Sequence, residues 1–191
     1  MQLTTIPGTV MPYDPSAGKE LFAAVSSLCN VAGGLSLSQI VGITGLEAST
    51  IQNWVKRGWI SRPVGKKYTQ RQIARILLIN VLRDCLPLEK IAQLLGKVNG
   101  SVEDVSDDII DEGELYNRLC SLLADLSDLR SSTAEIREAV QRQLADYTGP
   151  KLDSKACLAR ALEIMVLAYQ ASRMKHLAEG RLEKWIQEDN G

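Results

Sequence analysis

The sequence predicts a mainly α-helical protein: a winged helix-turn-helix module near its start, followed by a hairpin of long, coiled-coil-like helices. Three observations carry this. Between Ser36 and Lys90, two short helical patterns around a glycine turn precede a basic loop and a third helical pattern. Charge is sharply divided, with ten bases against three acids over residues 35–99 (+7) and eleven bases against eighteen acids over residues 100–191 (−7). Finally, apolar residues from Leu115 to Val140 step by alternate fours and threes, the spacing of a helix packed along another helix.

Residues 1–34 read as an arm and a packing helix. Pro7, Gly8, Pro12 and Pro15 rule out a regular element, and the arm is expected to order only against a partner subunit. Gly18 to Val31 then places Leu21, Phe22, Val25, Leu28 and Cys29 at helical spacing, and Gly33 with Gly34 ends the run.

Residues 35–99 form the winged module. Ser36 with Gln39 three positions on is a capping-box pattern, in which each residue satisfies an orphan N–H of the first helical turn. Thr44, Gly45 and Leu46 make the turn, and the second helix runs over residues 47–57 with Ile51, Trp54 and Val55 inward and Gly58 as a left-handed cap. Pro63 and Gly65 mark a turn, so residues 61–68 read as the wing. Thr69 and Gln72 repeat the capping box ahead of the apolar run Ile73 to Leu82, and Pro87 opens a fourth short helix.

Residues 100–114 hold seven acids from Glu103 to Glu114 and no base, which reads as a solvated linker. Residues 115–191 read as an oligomerisation or effector region. Its seam comprises Leu115, Leu119, Leu122, Leu126, Leu129, Ile136 and Val140, with Thr133 keeping the step between Leu129 and Ile136, and one strand of such a seam cannot stand alone. After Gly149 and Pro150, a last helix runs from Asp153 or Ser154 to about Glu188. The effector is unknown; its pocket, if one exists, is expected around Met165, Tyr169, Met174 and Trp185.

In a helix-turn-helix, the second helix enters the major groove, so its exposed side chains are the candidate contacts: Ser49, Thr50, Gln52, Asn53, Lys56 and Arg57. Asn and Gln can bond adenine through two atoms at once, while Ser and Thr suit phosphates. Arg62, Lys66, Lys67, Tyr68 and Arg71 would set the wing on the backbone. A basic head of this kind docks on a polyanion by releasing counterions.

The span Leu35 to Leu95 resembles the DNA-binding domain of MerR-type transcriptional regulators. Thr44-Gly45-Leu46 matches that family's turn, Thr50 to Trp54 the start of its recognition helix, Arg57 to Ile60 its helix end, and Lys66-Lys67-Tyr68 its wing. Gln52 and Asn53 stand where many MerR proteins carry an arginine and an aromatic, which shifts phosphate clamping onto Lys56, Lys66 and Lys67. Thr50 to Tyr68 with Gln72-Ile73-Ala74 is also similar to an uncharacterised bacterial domain of unknown function, found mainly in Firmicutes. The resemblance implies a homodimer on double-stranded DNA, with the helix after the module as its dimerisation element.

Other classes find little support. No Gly-rich phosphate loop, placed nucleophile or apolar carboxylate pair is present, so an enzyme is not expected. Cys29, Cys85, Cys120 and Cys157 form no CxxC pair and His176 stands alone, so no metal site or cofactor is expected; Cys85, Cys120 and Cys157 are expected in the core and His176 on the surface. No apolar run is long enough to span a bilayer, and a cytoplasmic location is the default. The competing reading is a helical protein-interaction module whose winged domain no longer binds DNA.

Overall fold

The computed structural model describes residues 5–12, 21–126 and 131–189. Helix α4 (Gln70–Leu82) is the axis of the molecule, buried on nearly every face through Ile73, Ala74, Ile76, Leu77, Leu78 and Leu82. So continuous an apolar run cannot lie on a surface, and the other elements cover it. Helix α6 (Glu112–Asp125) packs along it most extensively. The remaining helices α1 (Leu21–Ala32), α2 (Leu37–Thr44), α5 (Leu88–Asn99) and α8 (Ser154–Asp189) also touch it, and one continuous core results. Helix α3 (Ala48–Lys56) follows α2, and α7 (Thr133–Gln143) packs between α6 and α8. The only sheet among the described residues is the antiparallel pair β1 (Leu35–Ser36) and β2 (Lys67–Tyr68), with Leu35 opposite Tyr68.

Local chemistry sets the helix starts. Ser36 and Thr69 both close full capping boxes, with Gln39 and Gln72 as the reciprocal partners. Gly45, at φ 69°, takes the left-handed conformation that ends α2 and turns the chain into α3.

The described part of the N-terminal arm, residues 5–12, orders against its own chain, so a partner subunit is not needed to order it. Residues 5–12 fold back on themselves, the Val10 N–H donates to the Ile43 carbonyl, and the Tyr116 hydroxyl donates to the Pro7 carbonyl at 2.6 Å. Gly8 lies so close to α4 that a Cβ there would meet the Leu77 carbonyl oxygen at 2.7 Å. The arm's last proline, Pro15, and Gly18 to Glu20 at the start of the expected packing helix lie outside the described residues.

Residues 100–114 are only partly a linker. Residues 103–107 are exposed, but Ile109, Ile110 and Glu112 are buried, and the Ile109 N–H donates to the Val98 carbonyl. Glu112 sits between two arginines of α4, with Arg71 Nε at 2.7 Å and Arg75 Nη1 at 3.2 Å, while Arg71 Nη2 reaches Asp108 at 3.1 Å. Arg75 Nε also donates to the Trp59 carbonyl at 2.8 Å. Burial pushes the Asp108 carboxyl up to about 6 against the pull of Arg71, and burial likewise lowers the Arg75 guanidinium from its ordinary value.

The single seam helix expected over residues 115–140 is two helices. Helix α6 ends at a Leu126 cap, and α7 starts from a third capping box, Ser132 with Glu135. Leu115, Leu119, Leu122, Ile136 and Val140 are buried within the chain itself and Leu126 is half-buried, so these residues are spent on the intrachain core; Leu129 lies outside the described residues. The two helices are held by a reciprocal clamp in which Arg118 Nη1 donates to the Gln143 carbonyl and Gln143 Nε2 to the Arg118 carbonyl.

The last helix follows expectation in extent. Met165 is buried and Tyr169 half-buried, whereas Met174 and Trp185 are exposed on a different face, so these four do not line one pocket. Cys120 is buried and Cys157 half-buried, but Cys85 is exposed in the turn after α4, where the helix has already ended. Among the described residues, no helix is long and apolar enough to cross a membrane.

Candidate nucleic-acid interface

Helix α3 is amphipathic in the strict sense. Ile51 and Trp54 are fully buried, and Val55 is half-buried beside them. The opposite face presents Ser49, Gln52, Asn53 and Lys56 to solvent, with Thr50 half-buried at its edge. This follows from 3.6-residue periodicity, since residues at i and i+3 share a face. Arg57, just past the helix, is exposed but engaged: its guanidinium stacks 5.2 Å from the Trp59 ring and lies 3.6 Å from Glu89.

The loop after α3 closes as a tight hairpin. Val64 and Lys67 exchange backbone hydrogen bonds in both directions, and the two residues between them, Gly65 and Lys66, both have positive φ (57° and 62°). Such a two-residue turn suits the right-handed twist of its strands. Lys66 is the only described residue other than glycine with positive φ. The loop is fixed from behind by Gln72, whose side-chain amide donates to the Ser61 and Arg62 carbonyls. Arg62, Lys66 and Lys67 are exposed, and the Lys67 ammonium donates to the Ala32 carbonyl at the end of α1.

Two expected contacts turn inward. Tyr68 is buried against the core through its β1 pairing, and burial raises its phenol. Arg71 is held by Glu112 and Asp108, so its charge is compensated inside the chain and its fork is occupied. Sequence reasoning could not find these acids, which lie 37 and 41 positions away. What remains outward is a polar helix face, Ser49, Gln52, Asn53 and Lys56, and a basic loop, Arg62, Lys66 and Lys67.

Residues 32–119 match a family described as a domain of unknown function, DUF1836. The match spans α1's last residue through the first half of α6, so it takes in the α3 face, the hairpin and the Glu112 clasp. The MerR-type resemblance is corrected by this finding, since no MerR or helix-turn-helix family matches. Three of the residues that carried it have structural roles of their own: Gly45 forms a left-handed cap, and Trp54 and Tyr68 are buried in the core. An uncharacterised protein of Bacillus subtilis (strain 168), YkrK, is 30% identical over 129 residues, which is 62% of this chain and 54% of the relative. The chain thus spans about half the length of that relative. No solved structure matches.

Proposed function

We propose that this protein is a sequence-specific DNA-binding transcriptional regulator, acting as a homodimer through a winged helix-turn-helix formed by α2, α3 and the 61–68 loop. The observation that carries the reading is the pairing of an exposed polar α3 face with a lysine-tipped hairpin within residues 35–99, the stretch that is +7. In this reading Asn53 and Gln52 read base edges, Ser49 and Thr50 bond phosphates near the helix start, and Lys56, Arg62, Lys66 and Lys67 hold the backbone. The burial of Ile51 and Trp54 gives α3 one rigid orientation, which a reading helix needs. Lys66 adds a second support. A lysine held at positive φ costs roughly 1–2 kcal/mol relative to an ordinary backbone, a strain typical of functional positions.

The experiment is a pull-down of genomic fragments with the purified chain, followed by gel shifts on the enriched site. Replacing Lys66 and Lys67 with Ala should weaken binding nearly uniformly across sequences, whereas Asn53→Ala should relax preference at particular base pairs. If neither variant changes DNA binding, the docking is wrong. If a folded parent enriches no fragment at low salt, the protein-interaction reading takes its place.

A further inference from the structure

Helix α8 is 36 residues long, about 54 Å at 1.5 Å per residue; its buried residues end at Ser172, and beyond them His176 reaches Asp84 at 3.1 Å. Its opposite side carries an uncovered apolar stripe. Ile164, Leu167, Met174, Leu182 and Trp185 are each between 42% and 63% exposed. The exposed Ala171 and Ala178 fill the gaps. At 100° per residue these seven positions fall within about 80° of arc. Arg160 and Asp189 lie on the same arc, one beyond each end, and neither is in an ion pair among the described residues.

We infer that this stripe is the surface on which a second copy of the chain docks, α8 against α8, antiparallel about a two-fold axis between Met174 and Lys175. The stripe is self-complementary in that register. Ile164 faces Trp185 of the other copy, Leu167 faces Leu182, Ala171 faces Ala178 and Met174 meets its own copy beside the axis, so the two alanine pairs allow close approach on either side of it. Arg160 then faces Asp189 twice, once on each side of the axis. A parallel pairing would set Arg160 on Arg160 and Asp189 on Asp189, so charge selects the antiparallel form. A surface whose residues meet their own complements in a second copy is what a two-fold homodimer requires. Lipid is a poorer occupant, because the helix surface beside the stripe mixes Glu163, Glu179 and Glu183 with Arg181 and Lys184 instead of carrying a basic face.

The inference deepens the homodimer part of the proposed function and is independent of DNA. It is tested by sedimentation equilibrium of the full chain over a concentration series. The parent should be a dimer. Leu182→Asp and Trp185→Asp, at positions exposed in the single chain, should leave the helix content unchanged and weaken self-association about tenfold or more. Arg160→Asp and Asp189→Arg should each weaken it about fivefold, and the two together should restore it to near the parental value. A parent that is monomeric throughout overturns both the seam and the homodimer, leaving the α3 face untouched. A dimer unmoved by Leu182→Asp and Trp185→Asp overturns the seam alone. Single charge variants that weaken a dimer the double variant fails to restore overturn the antiparallel register.

Discussion

Glu112→Gln is the sharpest perturbation of the core. The wild-type cluster is balanced: Arg71 and Arg75 against Asp108 and Glu112. The Arg75 side chain is 4% exposed and that of Glu112 is 1% exposed, so neither is solvated in compensation. The amide keeps the shape and one acceptor oxygen, but it leaves one buried positive charge uncompensated. Breaking a buried pair by removing one charge costs about 3–5 kcal/mol, and the retained acceptor places this variant near the lower end. For a chain of this size each kcal/mol shifts Tm by about 2–4 °C, so a fall of about 6–12 °C is expected. The assay is thermal unfolding followed by circular dichroism at pH 7.5. Glu138→Gln is the control, since it removes the exposed i,i+4 partner of Arg142 and should cost no more than about 0.5 kcal/mol. Equal Tm values for the two variants would refute the reasoning, because the Arg75 charge would then be stabilised by something other than Glu112.

Three further outcomes follow from the same geometry. Lys66→Gly relieves the positive φ and should raise stability by about 0.5–1 kcal/mol after the glycine entropy cost, while weakening DNA binding; urea unfolding and a gel shift read the two effects separately. Trp54→Ala empties the site under α3 and should cost about 3–5 kcal/mol, seen as a lower urea midpoint. Asp108, with its carboxyl raised to about 6 by burial, stabilises the fold fully below the ordinary carboxylate range and loses that contribution as pH rises through about 6. Relative to Asp108→Asn, the parent should therefore gain stability between pH 7 and pH 5 in a melting series, and parallel curves would contradict this.

What was legible in the sequence was local. The capping boxes at Ser36 and Thr69, the glycine at the end of α2 and the inward residues of α3 all depend on neighbours within four positions, and the structure has them where the spacing puts them. The third capping box, Ser132-Thr133-Ala134-Glu135, was equally legible but was masked by periodicity. The apolar steps continue in phase from Leu122 to Ile136, so a break that preserves the phase looks like one seam. The Glu112 clasp and the burial of Tyr68 were not legible. They depend on α6 crossing α4 and on β1 pairing with β2, contacts between residues more than thirty positions apart. Arg71 reads as outward in the sequence for this reason: its side-chain chemistry suits phosphate and carboxylate equally, and only the fold decides between them. The α8 stripe is not legible in the sequence because the same helix also carries a buried face, and apolar residues on two faces read as one buried helix.

The most direct test of the central claim is the salt dependence of binding to an enriched genomic site, measured by fluorescence anisotropy on the parent chain. Four outward cations, Lys56, Arg62, Lys66 and Lys67, make eight in a homodimer and predict a slope of log K against log salt of about −7. Replacing Lys66 and Lys67 with Ala should reduce it to about −4. Absence of binding at low salt, or binding with a slope that these two replacements leave unchanged, would contradict DNA recognition by the α3 face and the hairpin.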